Sequence, residues 1–321
     1  MRLENKNNVK YHIIDEGSEG QKIDNFLLKI LKNVPKSHIY KILRSGQVRV
    51  NKKRIRTDFR LSINDSVRIP PVSYRERVSF APVSADKSKI TYIEKAVIFE
   101  DDAFIVLNKP EGIAVHGGSG INFGVIELLR QSRPNAKFLE LVHRIDKDTS
   151  GVLLIAKKRL ALVGIHKQMR DKSMHKKYEV IVHGVWNKKQ LIVDLNLLKN
   201  SDVDGQKKVS VVDDSNLSVK VKKSRSVFFL KKNFKEFTLL GVKLITGRTH
   251  QIRVHLSHLG FPIAGDQKYG NFDLNKKLRK AGLARMFLHA SEVAFTHPIT
   301  MKEVYFSAPT PGEFNRIDVL R

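Results

Sequence analysis

Between Lys22 and Leu31, the apolar residues Ile23, Phe26, Leu27, Ile30 and Leu31 recur at three- and four-residue spacing. This predicts an amphipathic helix with its basic residues on the other side. "KSHIYKILRSG" predicts a second helix that stops near Gly46. "QVRVNKKRIR" predicts a short hairpin turning at Asn51-Lys52, and "LSINDSVRIP" a further turn and strand. Residues 20–71 thus read as one compact α/β unit, preceded by a polar, peripheral extension at 1–19. Residues 72–92 carry Pro and Tyr punctuation, mixed charge and no period, and read as a linker. From 93 to 321 the predicted strands are "AVIFED", "FIVLNK", "GVLLIAKK", "KKYEVIVHGVW", "SVFFLKKN", "FTLLGVKLIT" and "VYFSAP". The predicted helices are "GVIELLRQS", "RLALVGIHKQMRD", part of 249–259 and "NKKLRKAGL". Strands interspersed irregularly with helices predict an α+β fold with a mixed, mainly antiparallel sheet. There is no βαβ rhythm, no GxGxxG, no P-loop and no internal repeat.

A chain of 321 residues, 41% of them apolar, holds more than one core. Charge changes the picture most. Lys and Arg number 59 against 32 Asp and Glu, a net charge of +27. The excess is concentrated in 21–71, with thirteen Lys and Arg against three Asp. A charge this large calls for an anionic partner. No apolar run approaches the roughly 18–20 residues that span a bilayer, and "MRLENKNNVKYHII" has no secretory pattern. With no cysteine, the chain has no disulfide, thiolate zinc site, iron–sulfur cluster or cysteine nucleophile. A soluble, cytoplasmic protein is expected, with RNA rather than membrane or DNA as partner. Basic helix–helix–hairpin units grip structured RNA by its phosphates.

Three stretches carry candidate chemistry. In "LVHRIDKDTSGVLLIAKK", Asp146 stands two residues after Arg144 and directly before Lys147, on a turn-forming loop leading into a near-continuous apolar strand. Taken alone, the loop is equally compatible with an oriented, ionised acid and with a surface ion pair. In "LITGRTHQIRVHLSHLGFPIAGDQKYG", Arg248 and Arg253 sit on a short regular element, and one of them could reach Asp146 across the sequence. His250, His255 and His258 lack a familiar zinc spacing and are expected to contact RNA or to pack. In "MHKKYEVIVHG", Tyr178 is either a structural ring on a sheet, a ring that stacks on an unstacked base, or a phenol that handles a proton.

At these residues the chain resembles the RluA-type pseudouridine synthases. His143-Arg144-Ile145-Asp146-Lys147-Asp148-Thr149-Ser150-Gly151 resembles their signature. "NKPEGIAVHGG", "GRTHQIRVH" and "FLHASEVAFTHP" resemble their other motifs, and 20–71 resembles the S4 module that many members carry in front. Val115 to Lys158 is most similar to the branch that modifies several uridines of 23S rRNA, the C branch; the D branch and tRNA-directed members are the alternatives. Ser215–Leu230 departs from the pattern, with Arg225 and Ser226 where a threonine is expected. The resemblance implies isomerisation of uridine to pseudouridine in 23S rRNA or a large-subunit precursor, by a monomer, without cofactor or metal. It implies that Asp146 acts on the sugar, as a nucleophile at C1′ or through a glycal, and that Arg253 pairs with it. Tyr178 would pack on the uracil and take the C5 proton, and Arg144 would fill the space left by the flipped nucleotide. Lys147, Arg248 and His250 would bind the RNA. A hydrolytic glycosidase uses paired carboxylates, and no second acid is evident in these motifs.

Overall fold

A computed structural model describes residues 9–32, 34–72, 85–118, 122–201, 207–213 and 220–319. The chain divides into two compact units, Met1–Ala85 and Asp86–Arg321.

In the first unit, helices α1 (Ile23–Ile30) and α2 (Lys36–Arg44) lie with four strands, β1 (Lys10–Ile13), β2 (Arg49–Val50), β3 (Lys53–Arg54) and β4 (Ser66–Ile69). The strand order is β1-β4-β2-β3, antiparallel throughout. Its core holds Ile23 and Leu27 of α1, Ile39, Ile42 and Leu43 of α2, and Val50 and Val67 of the sheet. The hairpin turns where expected: Asn51 and Lys52 have φ of 50° and 67°. Two consecutive left-handed residues match the twist of a tight hairpin. The extension read as peripheral at 1–19 is partly structured, since Lys10–Ile13 pairs with β4. Tyr11 and Ile13 of this edge strand remain exposed, so burial imposes no alternation that would mark it.

The second unit is built on one mixed sheet of eleven strands. Its main path is β11 (Lys207–Val212), β10 (Gln190–Ser201), β12 (Lys222–Asn233), β13 (Phe237–Leu244), β9 (His175–His183), β14 (Leu288–Thr296), β8 (Ser150–Ala156), β6 (Phe104–Lys109) and β5 (Val97–Glu100). Strand β15 (Glu303–Ser307) pairs with β14, and β7 (Glu140–Leu141) with β8. Among the described residues the β14–β8 pair alone is parallel; the rest are antiparallel. Helix α5 (Arg159–Arg170) buries Ala161 and Ile165 against β6, β8 and β14. Helix α7 (Phe272–Lys280) and the closing 3-10 helix (Gly312–Val319) cover Ile181 and Phe237 of the central strands. Helices α4 (Val125–Ser132) and α6 (Gln251–His258) stand where the apolar spacing places them.

The linker reading of 72–92 needs correction. Residues 87–92 begin helix α3 (Lys87–Lys95), which Asp86 caps by accepting from the Ser88 amide at 2.9 Å. The helix packs on α4 yet fully buries only Ile93, so its apolar period is faint. Residues 73–84 of that stretch lie outside the described residues.

Candidate active site

The site forms where β8 enters the sheet. All seven residues of β8 are buried, so its first residues are fixed from both faces. Ser150 and Gly151 pair in parallel with His289 and Ala290 of β14. Gly151 has φ +106°, and a Cβ there would lie 2.2 Å from the Ala290 carbonyl oxygen; the approach admits only glycine. The Ser150 hydroxyl is held by Arg285 Nη2 at 2.7 Å and His289 Nδ1 at 2.9 Å. The loop before it is therefore anchored at its C-terminal end.

Two further anchors hold the loop His143–Thr149. The Leu154 amide donates to His143 Nε2 at 3.2 Å, and the Thr149 amide to the Asp146 carbonyl at 3.1 Å. Burial, with Lys176 and His166 adding to it, pushes the His143 pKa down to about 3, which keeps the ring neutral and able to accept. Lys109, wholly buried at the end of β6, donates to the carbonyls of Pro110, Ile113 and Lys147 at 2.6, 2.8 and 2.9 Å. This lysine ties the "NKPEG" motif to the peptide that follows Asp146. Burial pushes its pKa down to about 7, against the pull of Asp148, Asp146 and Glu111. Three carbonyl acceptors require the three N–H groups of the ammonium form.

Asp146 meets Arg253 of α6. Nη1 of Arg253 lies 3.0 Å from Asp146 Oδ2, while Nε and Nη2 bind the two oxygens of Asp266 at 2.8 and 2.9 Å. Asp266 is fully buried and also accepts from the amides of Lys268 and Tyr269 at 2.8 and 3.0 Å. Burial alone would raise its pKa; the Arg253 contacts and these amides outweigh it and hold it low. Likewise, the two carboxylates outweigh the burial that would lower the Arg253 pKa, and the guanidinium stays charged. It also lies over the Tyr269 ring at 5.1 Å. Asp266 is a second acid near Asp146, but its oxygens are engaged and away from solvent, so it cannot activate water.

His250 begins α6 in a left-handed conformation, φ 53°. Its Nδ1 lies 2.8 Å from the Tyr269 hydroxyl, which accepts from the Val209 amide at 3.0 Å. Its Nε2 is 3.9 Å from Asp146 Oδ2. Burial lowers the His250 pKa although Asp146 pulls it up, so the neutral ring prevails. The Tyr269 hydroxyl then donates to Nδ1, leaving Nε2–H toward the acid.

Asp146, Arg253 and His250 line a cavity of about 240 Å3. It falls below the roughly 300–1,000 Å3 of drug-sized pockets and has room for one nucleoside, not a duplex. Tyr178 of β9 forms part of the wall, paired with Val242 of β13. It is buried, and burial together with Asp146 pushes its phenol well above its ordinary range. Arg144 and Arg248 are exposed at the cavity. Arg248 Nε donates to the Lys223 carbonyl at 3.1 Å.

Of the residues expected at the site, the structure brings Asp146, Tyr178, Arg253, Arg144, Arg248 and His250 to one cavity. Lys147 is exposed and is not part of the cavity wall. The three histidines separate: His255 is buried against the Ser224 hydroxyl at 2.8 Å, and His258 is exposed. The departure at Arg225-Ser226 is filled locally. Arg225 grips Asp194 of β10 at 2.6–2.8 Å, and Ser226 Oγ accepts from Gln251 Nε2 at 2.9 Å. Residues 214–219 of that stretch lie outside the described residues. Sequence reading missed Asp266, Tyr269, Lys109 and Lys176. The first two sit in "GDQKYG", whose flanking glycines mark a constrained turn. Gly265, at φ +78°, runs against the Arg285 carbonyl, 1.7 Å from where a Cβ would stand.

A family model described as RNA pseudouridylate synthase matches residues 103–258, and one described as S4 domain matches residues 21–67. "Ribosomal large subunit pseudouridine synthase C" of Pasteurella multocida (strain Pm70) is 48% identical over 309 residues, covering 96% of this chain and 93% of the relative. The protein of that name from Escherichia coli (strain K12) is 48% identical over 303 residues, covering 94% and 93%. Among solved structures, Human RNA Pseudouridylate Synthase Domain Containing 4 aligns with a TM-score of 0.57 at 25% identity, over 71% of this chain and 93% of its own. Human RNA Pseudouridylate Synthase Domain Containing 1 shares the fold, with a TM-score of 0.56 at 23% identity, over 67% and 83%.

Proposed function

We propose, on the premise that this chain belongs to the RNA pseudouridylate synthase family, that it isomerises uridine to pseudouridine in 23S rRNA, with Asp146 as the group that acts on the sugar. The 48% identity to ribosomal large subunit pseudouridine synthases over nearly the whole chain supports the substrate class. The observation that carries the residue assignment is the Asp146 carboxylate itself. One of its oxygens is held by Arg253 at 3.0 Å, while Oδ1 accepts no hydrogen bond among the described residues, and the residue lines a nucleoside-sized cavity.

The chemistry follows from that placement. Breaking the bond between C1′ and N1 leaves positive character on the sugar, which an adjacent carboxylate stabilises or captures. A uridine within RNA reaches the acid only when extruded from its helix, at a cost of a few kcal/mol. Phosphate contacts from the basic unit and from Arg248 and Lys147 offset that cost, and Arg144 fills the space the nucleotide leaves. Tyr178 packs on the base. Because its phenol stays protonated through the physiological range, it takes the C5 proton only while releasing its own. Arg253 and Asp266 fix the acid, and His250 Nε2 lies 3.9 Å from the oxygen that Arg253 holds. No step needs an electron donor or an added group.

Among the described residues, no helix is long and apolar enough to cross a membrane. We place the protein in the cytoplasm, where rRNA is made, acting as a monomer on rRNA or on a large-subunit precursor. Mapping pseudouridines in 23S rRNA by carbodiimide and primer extension, in a strain lacking the gene, tests this reading. Loss of specific sites, restored by the wild-type gene, is the expected result. An unchanged 23S map with a pseudouridine missing from tRNA would move the substrate elsewhere.

A further inference from the structure

Lys176 lines the same cavity and has no role in the scheme above. It lies on β9 two residues before Tyr178 and so projects from the same face of the strand, about 6.6 Å further along. Its Nζ lies under the turn into α6, 3.5 Å from where a Cβ on Gly247 would stand. Among the described residues the Lys176 side chain makes no ion pair and no hydrogen bond, while its backbone pairs with Val293 of β14. It is a half-buried cation with no counterion, and burial lowers its pKa. An ammonium held this way is costly unless a ligand brings negative charge to it.

Its place on the strand decides which part of the ligand that is. Lys176 and Tyr178 line the cavity from one face of β9. With the base on the Tyr178 ring, the neighbouring ammonium is presented to the base. The phosphates, by contrast, have the exposed Lys147 and Arg248.

We propose that Lys176 donates to a carbonyl oxygen of the target uracil and stabilises the negative charge that the base carries while it is detached; this rests on the placement of Asp146 and Tyr178 given above. The N1–C1′ bond breaks with its electron pair left on the base, and the charge spreads from N1 onto O2 and O4. The base turns about its N3–C6 axis, which exchanges N1 with C5 and one carbonyl with the other. C5 then bonds to C1′, C5 gives up its proton and N1 takes one up, so the composition of the RNA is unchanged. Lys176 keeps its proton throughout. A compact ammonium with three rotatable donors suits this task, because it meets a carbonyl oxygen in both orientations of the ring.

The test uses the full chain, with enzyme in excess over an unmodified 23S rRNA transcript carrying C5-tritiated uridine. Lys176→Met should lower the single-turnover rate of tritium release about 100-fold or more. RNA affinity should change less than threefold, with an unaltered salt dependence. Lys176→Arg should keep more of the rate than Lys176→Met. A Lys176→Met protein with wild-type rate overturns the proposal. So does one that loses affinity, with a salt slope smaller by about one, while the bound-state rate holds; Lys176 would then be a phosphate contact. Equal loss in both variants, with lowered melting temperature, would assign it to packing and also overturn the proposal. Should Lys176→Met melt early, Lys176→Gln assayed below its own melting point answers the same question. Wild-type levels of release from Asp146→Asn in this assay would instead remove the site assignment beneath it.

Discussion

Two carboxylates share the charge of Arg253. Asp266 takes the fork of Nε and Nη2, the bidentate geometry that fixes a guanidinium in its plane. Nη1 is thereby aimed at Asp146, leaving that acid one bound oxygen and one free. Asp266 thus fixes the guanidinium that orients Asp146. Replacing Asp266 with Ala leaves a buried guanidinium with one partner. The expected cost is about 3–5 kcal/mol, read as a lower urea midpoint together with lost activity. A midpoint within 1 kcal/mol of wild type would show that Arg253 is held by other means. His255 offers a pH test at the same scale. Its unfolded pKa is 6.5, and burial brings the folded value down to about 4. Between these values the unfolded chain binds the extra proton. The stability His255 contributes is therefore full above 6.5 and is lost as pH falls toward 4, by about 3 kcal/mol in all. Between pH 7 and 4.5, wild type should lose about 2–3 kcal/mol more than His255→Gln, which keeps a donor for Ser224. Equal losses in urea titrations would contradict this.

At the scale of elements, the start of β8 decides where the acid points. Gly151→Ala places a methyl 2.2 Å from the Ala290 carbonyl oxygen at φ +106°. Backbone strain of roughly 1–3 kcal/mol and a similar overpacking cost should add, and the parallel β14–β8 pairing should yield first. Hydrogen exchange at Gly151 and Val152 measures this; unchanged protection would refute the anchoring role. The sequence makes some elements legible and hides others, for identifiable reasons. α1, α2 and β8 are readable because burial forces a period or an unbroken apolar run on them. β10 is not: "QLIVDLNLLKNS" contains Asp194 and Asn196, poor strand formers, and pairing with β12 overrides them. β14 is visible only as a motif, because much of its pairing is with β8 and β9, which are distant in sequence. Within the site, Asp146, Tyr178 and Arg253 stand in distinctive stretches. Asp266 and Lys109 act through contacts that only the folded chain brings together. Lys147, next to the acid in sequence, is exposed and lies outside the cavity wall.

Across the whole molecule, charge is distributed by task. The thirteen Lys and Arg between 21 and 71 lie in a unit with its own core, and the cavity lies in the other unit. Removing residues 1–71 should weaken binding to rRNA at physiological salt and flatten its salt dependence. The single-turnover rate at saturating RNA should change less. Equal affinity of truncated and full-length chains would show that the basic unit is not the RNA grip. The proposed reaction turns on one side chain, so the decisive measurement is tritium release from C5-labelled uridine in 23S rRNA by Asp146→Asn. The substitution preserves shape and removes the negative charge. No release above background, with RNA affinity and melting temperature near wild type, is the expected result. Release at the wild-type rate would contradict the account.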